Sequence, residues 1–509
     1  MQSQESSNTP AGSLVVSDKI LPDDPRYKYS SNKKFNLRFS GKPDYIRLVQ
    51  SIDELMFALQ EAVTENQRVV IRCGGHCLEN FVDDIAVKVV IDISMMKGVR
   101  FDTEMGAFEI IAGTTVGEMY EKLYNEWGVV VPAGEHPAIG MGGHIAGGAF
   151  GFLCRQFGLA VDYLYAVEML WVDDRRKVQK VIATRESEDL HRDLWWAHTG
   201  GGAGNFGVVT RYWFRSVGTF GDVSTPLLPL APPVIETFEV EWKWEDFNEH
   251  HFTGLVRNFG NWCENNSGAD DAGTGLFATL HLWRRQYGKL QIKGLITTGK
   301  EHDTLLDSFM QAISHGLDMP HQLVRTKMSW LDFALKPFPD IFTDGKAAFK
   351  VKDALMRKQF TDRQIKVIFN YLESTEYDVP GGFIGHATYG GTLNAITPEA
   401  TASVHRDSIM TTACAVGWGD PKEEAKNLDW VRSCYKDLFA ETGGVPVPNV
   451  ATSGTLINHP DADLADPAFN TSGVPWYTMY YQSNYARLQQ VKAKWDPCNI
   501  FHHLLSVQV

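Results

Sequence analysis

Short apolar runs rich in β-branched residues alternate with amphipathic segments in the N-terminal part of the chain. Residues 45–49, 68–72 and 87–93 are such runs, and each predicts a buried strand. Residues 51–54 (SIDE) predict the start of a helix, because a serine side chain caps the first turn and acidic residues favour it. The apolar face of this helix consists of Leu55, Ala58, Leu59 and Val63. The same criteria predict strands at 108–112, 164–173 and 205–215 and a helix at 115–123.

The pattern changes near residue 226, where prolines cluster. Pro229, Pro232 and Pro233 indicate a boundary between two parts of the chain. Beyond it, alternation of apolar and polar positions predicts strands at 237–243, 274–283 and 289–296, with helices at 248–265 and 302–317. The fold class expected is α+β, with a large antiparallel sheet backed by helices in the second part.

Composition and charge narrow the protein class. The 509 residues suffice for two or three domains, and 44% hydrophobic with 22% charged residues is ordinary for a soluble globular enzyme. A net charge of -14 does not favour nucleic acid or an anionic membrane. The polar N-terminus lacks the features of a secretory signal and no apolar stretch is long enough for a membrane span, so we expect a cytoplasmic protein. We expect residues 1–20 to form a disordered or extended arm.

Cysteine usage argues against metal and disulfide chemistry. The seven cysteines are odd in number and scattered, unlike a disulfide framework or a zinc site. We therefore expect no metal centre.

Two glycine-rich stretches, 70–84 and 129–163, carry the clearest functional signal. Gly74 and Gly75 follow a predicted strand and permit a sharp turn with uncovered backbone N–H groups, which suits an anion. A tight turn around a buried histidine is the alternative interpretation. Because residues 140–144 (GMGGH) are not followed by an amphipathic helix, they do not match a dinucleotide fingerprint or a phosphate-binding loop. A phosphate-bearing cofactor lying along bare backbone fits better.

Five motifs resemble those of a known family. They are RCGGHCLENFV at 72–82, PAIGMGGHIAGGAFG at 137–151, LWWAHTGGGAGNFGVVT at 194–210, NHPDADLADPAFN at 458–470 and YYQSNYARLQQVKAKWDPCNIF at 480–501. In this order and spacing they resemble the berberine bridge enzyme-like FAD-linked oxidases of the vanillyl-alcohol oxidase superfamily. The resemblance is greatest to bacterial members that oxidise sugars or glycosylated and polyketide natural products.

The resemblance implies a two-domain fold of the PCMH-type FAD-binding class. Residues 1–225 and 441–509 would form a discontinuous FAD-binding domain, and residues 226–440 the substrate domain. The implied activity is oxidation of a substrate hydroxyl by hydride transfer to a covalently bound flavin. The implied partners are a small-molecule substrate and O₂, and the chain would be a monomer or homodimer.

Attachment of the flavin is expected through His76. In the family, the histidine of the R-x-G-G-H turn bonds the flavin 8α-methyl group. Relatives carry a second anchor, a cysteine, in a stretch that here reads Ala133-Gly134-Glu135-His136-Pro137, so His136 replaces it. Cys154 lies where the family usually has serine or threonine. We therefore expect a single covalent bond, with His136 over the flavin or in a partly exposed loop.

The remaining residues that the resemblance places around the cofactor belong to its five motifs. They are Arg72, Cys73, Gly74, Gly75, Cys77, Ile139, Gly140, Gly142, Gly143, His144, Gly148, Gly204, Asn205, Gly207, Val208, Val209, Asn458, Tyr481, Asn484 and Asn499. An asparagine amide both donates and accepts hydrogen bonds, which suits the flavin pyrimidine edge. His144 is more easily explained as structural.

The catalytic base is expected at His459. Relatives carry tyrosine after asparagine in an N-Y-x-D string, and here the string reads Asn458-His459-Pro460-Asp461. Near neutral pH an imidazole is a better base than a phenol. Packing of His459 at a domain interface is the alternative, and Tyr481, Tyr480, Tyr389 and His386 are then the candidates.

The electron acceptor and the reaction type stay open. Ile139 lies where the family places a residue near flavin C4a. In members that use oxygen this residue is often valine. Isoleucine is one methylene larger, and a bulkier side chain here shields C4a from O₂. A dehydrogenase with another acceptor, an oxidative cyclase forming a C–C or C–N bond, and an inactive flavin-binding protein are the alternatives.

Aromatic residues are frequent in the second part of the chain. They are Trp242, Trp244, Trp262, Trp283, Trp330, Phe338 and Phe342. Such side chains can stack on sugar or polyketide rings, but an aromatic stripe is more often part of a core.

Overall fold

A computed structural model of the chain describes residues 17–224, 226–297, 302–317, 319–336 and 347–509. The predicted N-terminal arm lies mostly outside the described residues, as do Phe338 and Phe342. No helix in the described ranges combines the length and apolar character needed to cross a membrane.

A small parallel sheet begins the fold. Its strands are β1 (Tyr45–Leu48), β2 (Val69–Arg72) and β3 (Val89–Asp92), in the order β1-β3-β2. Helix α1 (Tyr27–Ser31) precedes β1, and α2 (Ile52–Thr64) connects β1 to β2. The Ser51 side chain accepts a hydrogen bond from the Glu54 N–H, and the predicted apolar face of α2 is buried. The first strands and helix are therefore where the sequence pattern predicts them.

A five-stranded antiparallel sheet continues the cofactor half. Its strands are β4 (Val99–Asp102), β5 (Ala107–Ile111), β6 (Leu164–Val172), β7 (Val178–Thr184) and β8 (Val208–Phe214), in the order β4-β5-β8-β6-β7. The helices in this part are α3 (Val116–Trp127), α4 (Met141–Ala146), α5 (Cys154–Phe157) and α6 (Arg192–Ala197). Thr115 and Glu118 form a capping box that fixes the start of α3.

An eight-stranded antiparallel sheet dominates the second half. Its strands are β9 (Val234–Lys243), β10 (Leu276–Trp283), β11 (Lys289–Thr297), β12 (Gln322–Ser329), β13 (Ala348–Met356), β14 (Gly382–Thr388), β15 (Met410–Trp418) and β16 (Thr452–Gly454). The order is β12-β9-β11-β10-β14-β15-β13-β16. The accompanying helices are α7 (Glu249–Asn265), α8 (His302–Ile313), α9 (Trp330–Ala334), α10 (Asp362–Glu373) and α11 (Glu424–Leu438). The expected antiparallel sheet backed by helices is confirmed.

The two faces of this sheet have different neighbours. Side chains such as Leu280 and Ile384 pack with α7, α8, α10 and α11 in one core, and we call this side the helix-backed face. Phe277 and Leu355 point the other way and pack with residues of the cofactor half. We call this second side the inner face. A substrate held between the two halves would contact the inner face.

The predicted aromatic residues mostly belong to cores. Trp242, Trp244 and Trp262 are buried in the helix-backed core, and Trp330 is buried beside α3. Trp283 lies on the inner face, where it stacks on Tyr287. The core interpretation therefore holds for the five of these residues that the structure describes.

The C-terminal segment returns to the first half through α12 (Trp476–Tyr481) and α13 (Tyr485–Trp495). The Lys492 ammonium donates to the Asn205 carbonyl at 2.8 Å, and the Tyr481 hydroxyl donates to the Gly201 carbonyl at 3.1 Å. These contacts support a discontinuous cofactor domain, although its boundaries stay predictions. Strand β16 pairs with β13, so the segment after residue 440 also contributes to the large sheet.

Candidate active site

The two glycine stretches pack directly on each other. A Cβ atom at Gly74 would lie 2.4 Å from the Gly140 nitrogen, and one at Gly140 would lie 2.2 Å from the Cys73 sulfur. Gly75 adopts a φ of +75°, and its Cβ would lie 2.7 Å from the Lys33 carbonyl oxygen. These glycines allow backbone to contact backbone. Close packing is thus one reason for glycine at these positions, and contact of these glycines with the cofactor stays a prediction.

Gly143 is the glycine of this group that faces open space. The string 140–144 forms the start of helix α4, with Gly140 as N-cap, rather than an extended loop. A Cβ at Gly143 would have no atom within 4 Å. The other glycines expected at the site approach neighbouring segments, and these contacts are Gly142 with Ala112, Gly148 with Ser403, Gly204 with His503 and Gly207 with Leu170.

Two histidines and a phenylalanine form a packed group at the first glycine turn. The His76 ring stacks on Phe35 with centroids 4.5 Å apart and lies 4.8 Å from the His136 ring. Burial, with repulsion from His136 and His144, lowers the pKa of His76 to about 3. His76 is therefore neutral near pH 7, and a ring nitrogen keeps the lone pair that bond formation requires.

His136 is held by its own turn and keeps one nitrogen free. Its Nδ1 accepts a hydrogen bond from the Ala138 N–H at 3.2 Å, whereas its buried Nε2 has no hydrogen-bond partner. Burial lowers its pKa. The sequence prediction left His136 either over the flavin or in a partly exposed loop, and its contact with His76 favours the first.

A cavity of about 730 Å³ adjoins this group. It is bounded by His76, His136 and Phe35, with Lys28, Lys33 and Lys34 on its other walls.

His144 and Asn458 join the second glycine stretch to the C-terminal segment. The Asn458 amide donates to the His144 carbonyl at 3.1 Å, and its oxygen accepts from the Ala149 N–H at 3.0 Å. The His144 Nε2 atom is buried without a hydrogen-bond partner, and burial lowers the pKa of His144 to about 4. Asn458 therefore fixes the residue that follows it, His459, beside the glycine stretch.

His459 faces a carboxylate that the sequence did not reveal. Its Nδ1 lies 3.6 Å from Oδ2 of Asp353, which is buried in strand β13. The His459 side chain is 42% exposed, so one edge of the ring is accessible. Burial lowers the pKa of His459, but Asp353 more than offsets this and leaves the pKa raised above 6.5. Asp353 thus faces Nδ1, while another edge of the ring is exposed.

Small residues separate this pair from a second histidine across the inner face. Asp353 pairs with Ala413, Ala413 with Gly385, and Gly385 with His281 in the register of four adjacent strands. Ala413 is partly exposed, as are Ala387 and Thr279 beside it, whereas their neighbours on the helix-backed face are buried. The centre of the inner face is therefore open, with His459 at one side and His281 at the other.

The other candidate bases do not face this space. His386 lies on the helix-backed face, where its Nδ1 is 2.9 Å from the Thr412 hydroxyl and its ring packs near Phe360. Tyr389 is fully buried, and its hydroxyl donates to the His405 carbonyl at 3.2 Å. Burial raises the pKa of Tyr389 and of Tyr481, whose hydroxyl holds the Gly201 carbonyl. Tyr480 is also buried, and its hydroxyl accepts a hydrogen bond from the Asp461 N–H at 2.8 Å. The structure thus brings His459 to the open inner face and places these four elsewhere.

Other residues of the first motif have structural partners. Arg72 pairs with the buried Asp92 at 2.9 Å. Burial raises the pKa of the Cys73 thiol to about 11 and that of the Cys77 thiol to about 12. Cys154 is fully buried and burial raises its pKa further, so its thiolate is disfavoured as a second anchor.

The remaining predicted cofactor residues connect segments. The Asn205 amide donates to the Gly201 and Gly202 carbonyls, and the Asn484 amide to the Pro398 and Thr401 carbonyls. Asn499 is exposed in a left-handed turn, Val208 is buried, and Val209 and Ile139 are partly buried in apolar clusters. Contact of these residues with the cofactor stays a prediction.

Asp353 is the neighbour of His459 that sequence reasoning missed. The only signal is the run Lys350-Val351-Lys352-Asp353, which places three charged residues inside a strand. Charged residues in a central strand are costly unless paired, so such a run marks specific partners.

Comparison with known proteins agrees with this architecture. A family model described as an FAD binding domain matches residues 43–175, and one described as berberine and berberine like matches residues 456–508. The aclacinomycin-N/aclacinomycin-A oxidase of Streptomyces galilaeus is 42% identical over 97% of this chain and 90% of its own. The hexose oxidase of Chondrus crispus is 28% identical over 96% of this chain and 94% of its own.

Solved structures show the same similarity. A glycopeptide hexose oxidase crystallised with teicoplanin is 43% identical, with a TM-score of 0.93 over 99% of this chain and 100% of that one. An aclacinomycin oxidoreductase is 41% identical, with a TM-score of 0.94 over 97% of this chain and 100% of that one. Fold and site thus define a flavoprotein oxidoreductase with a two-domain PCMH-type architecture. The chain belongs to the berberine bridge enzyme-like family of FAD-linked oxidases.

The residues at the site fit FAD. Open space borders Gly143, and the buried Nε2 atoms of His136 and His144 lack partners within the described residues. Neutral imidazoles that are already desolvated suit hydrogen bonds to a polar ring system. The chain is therefore an FAD-dependent oxidoreductase. The position of the cofactor between the glycine stretches and the inner face stays a prediction.

Proposed function

We propose that the protein oxidises a hydroxyl group on a sugar, or on a glycosylated or polyketide natural product. The observation that carries this proposal is the His459–Asp353 pair at the edge of an open inner face. Alcohol oxidation needs a base at the hydroxyl proton, and this pair supplies one. FAD, when bound, accepts the hydride from the carbon that carries the hydroxyl.

His459 takes the substrate proton on Nε2 in this mechanism. Asp353 faces Nδ1 and stabilises the positive charge that the ring gains. Asn458 anchors the segment to the glycine stretch, so the base stays fixed relative to the cofactor site. His76, neutral and held against Phe35, is the residue we propose for the single covalent bond to the flavin.

The substrate class follows from the open centre of the inner face and from the relatives. Ala413 and Ala387 leave room for a ring, and Thr279 offers a polar contact without a formal charge, with His281 buried beside it. Burial, with a smaller effect of Lys293, lowers the pKa of His281 to about 3. Such a surface suits a neutral hydroxylated ring better than a phosphorylated one. The names of two relatives, a hexose oxidase and an oxidase of aclacinomycins, agree with this class.

We propose O₂ as the electron acceptor. Ile139 packs beside the glycine stretch and is only one methylene larger than valine, so it narrows the approach of oxygen rather than closing it. A dehydrogenase with another acceptor is the second candidate, and Ile139 is the residue that favours it.

Anaerobic stopped-flow spectroscopy tests the proposal. Hexoses, a glycosylated polyketide and its aglycone are each mixed with the flavin-loaded protein, and loss of flavin absorbance is followed. We expect bleaching by a sugar-bearing compound and a carbonyl product at the sugar. Bleaching by the aglycone alone, or a product with a new C–C or C–N bond, would contradict the proposed reaction. Subsequent mixing with air-saturated buffer distinguishes an oxidase from a dehydrogenase.

A further inference from the structure

A buried cluster of three cations and three carboxylates lies at the edge of strand β13. Its members, which we call the ion cluster, are Lys350, Lys352, Arg432, Glu79, Asp461 and Asp463. The two lysine side chains are 2% and 3% exposed. Charges at such depth are stabilised only when they are closely paired, and three cations balance three anions here.

Lys350 connects two segments that are distant in sequence. Its ammonium pairs with the Glu79 carboxylate and, at 2.7 Å, with Asp461. Lys352 contacts Asp461 at 2.6 Å and Asp463 at 3.0 Å, but not Glu79. Arg432 of α11 contacts Asp463 at 2.9 Å. Within the described residues, Lys350 is the cation of the cluster that reaches both segments.

Each of these segments carries a histidine of the active site. Glu79 follows His76 by three residues, and Asp461 follows His459 by two. Lys350 therefore lies between the turn proposed to hold the flavin and the segment that carries the proposed base.

The His459 segment contacts side chains on both faces of β13. Asp461 meets Lys350 and Lys352 on the helix-backed face, while His459 meets Asp353 on the inner face. Side chains alternate along a strand, so a shift of one residue would exchange these faces and separate His459 from Asp353. The paired lysines thus define the register in which the base and its carboxylate meet.

The ion cluster is poorly explained by stability alone. Replacing a buried ion pair with apolar residues of similar size is often neutral or stabilising, so burial of the two lysines and three carboxylates needs another reason. We propose that Lys350 is a positioning residue that fixes the His76 turn and the His459 segment to one strand. This inference rests on the proposed function, because it assigns the two histidines their roles.

Substitutions that cut each link separately test the proposal. Glu79→Gln removes the link to the His76 turn, and Lys352→Met weakens the link to the His459 segment. Lys350→Met removes the first link and weakens the second, because Lys352 still contacts Asp461. The readouts are the flavin that stays with acid-precipitated protein and the pH profile of flavin reduction per bound flavin. Arg432→Met is the control, because it removes a cluster charge that touches neither Glu79 nor Asp461.

We expect Glu79→Gln to lower the amount of flavin that stays attached. Lys352→Met should shift the acidic limb of the pH profile, which is the range where the rate of flavin reduction falls as pH decreases. Lys350→Met should do both and reduce the rate by about 10-fold or more, since misplacement by about 1 Å can cost about 10²-fold. Lys350→Arg should restore much of both, and Arg432→Met should change thermal stability alone.

A purely structural role of the ion cluster predicts a different result. If Glu79→Gln and Lys350→Met lower the melting temperature but leave both readouts at wild-type values, the cluster is only structural. If Lys350→Met does not fold, Glu79→Gln and Lys352→Met decide in the same way. Wild-type protein that releases all its flavin in acid would refute the attachment through His76, while the pH profile of Lys352→Met would still test the inference.

Discussion

The Nδ1 atom of His459 lies 3.6 Å from Oδ2 of Asp353. This separation is too long for a good hydrogen bond, but catalytic contacts are often long before the substrate binds. The carboxylate raises the pKa of His459. We propose that His459 is the base and that Asp353 tunes its pKa.

The pH dependence of flavin reduction should follow His459. The neutral ring is the active base, so the reductive rate should fall as pH decreases through a pKa above 6.5. His459→Ala should lower the rate by about 10²–10⁴-fold, which is the usual contribution of a positioned base. Anaerobic reduction rates over a pH series measure both effects. A wild-type rate in His459→Ala would assign the base elsewhere.

Asp353→Asn should move that acidic limb to lower pH, because removal of the carboxylate lets burial lower the pKa of His459. The same pair affects folding with the opposite sign. Because the folded pKa is raised, the ion pair stabilises the fold below 6.5 and this contribution is lost as pH rises through the folded pKa. An unchanged acidic limb in Asp353→Asn would show that this carboxylate does not tune the base.

His459→Tyr, which restores the residue of relatives, should keep some activity. Its pH profile of flavin reduction should lack the imidazole ionisation.

Flavin attachment should depend on His76 alone. His76→Ala should release all FAD on acid precipitation, because we propose its neutral ring nitrogen for the single bond. Cys154→Ala is the matched control, since burial keeps that thiol protonated and it should retain the flavin. Flavin absorbance of the supernatant and the pellet measures how much flavin is retained. Mass spectrometry of flavin-bearing peptides identifies the residue that carries it. A flavin-bearing peptide containing Cys154 or His136 would overturn the assignment.

Oxygen reactivity should respond to Ile139. Ile139→Val removes one methylene from a partly buried side chain and should speed reoxidation of the reduced flavin by O₂. The reductive half-reaction should change little, which serves as the internal control. Mixing reduced protein with oxygenated buffer in a stopped-flow instrument gives the rate. An unchanged reoxidation rate would mean that Ile139 does not limit oxygen access.

Two neighbouring glycines should respond differently to alanine. Gly140→Ala places a methyl 2.2 Å from the Cys73 sulfur and should destabilise the protein by about 1–3 kcal/mol, the usual cost of overpacking. Gly143→Ala meets no atom within 4 Å and should not lower the melting temperature. It should lower flavin content, because its methyl enters the space proposed for FAD. Thermal melts and flavin-to-protein absorbance ratios compare the two. Equal flavin content in Gly143→Ala and wild type would move the cofactor away from this glycine.

Much of the local structure could be predicted because its causes are local. The Ser51 cap and the apolar face of α2 depend on residues within a few turns, and they are found as expected. The glycine turns were located correctly but interpreted incompletely. Whether a glycine serves a ligand or a neighbouring backbone depends on what packs against it, and Gly74 and Gly143 differ in this respect.

The sequence by itself determined the family, the FAD-dependent class of enzyme, and the histidines at 76 and 459 as the residues to examine. The tertiary structure decided which groups meet them. Asp353 and Lys350 meet the His459 segment on opposite faces of the sheet, because side chains alternate along β13. His386 looks equivalent to a candidate base in sequence, yet sheet register turns it to the helix-backed face. Hydrophobic periodicity and helix capping depend on residues near in sequence. The register of a strand, and the sheet face on which each side chain lies, depend on strands distant in sequence, so only the folded sheet fixes them.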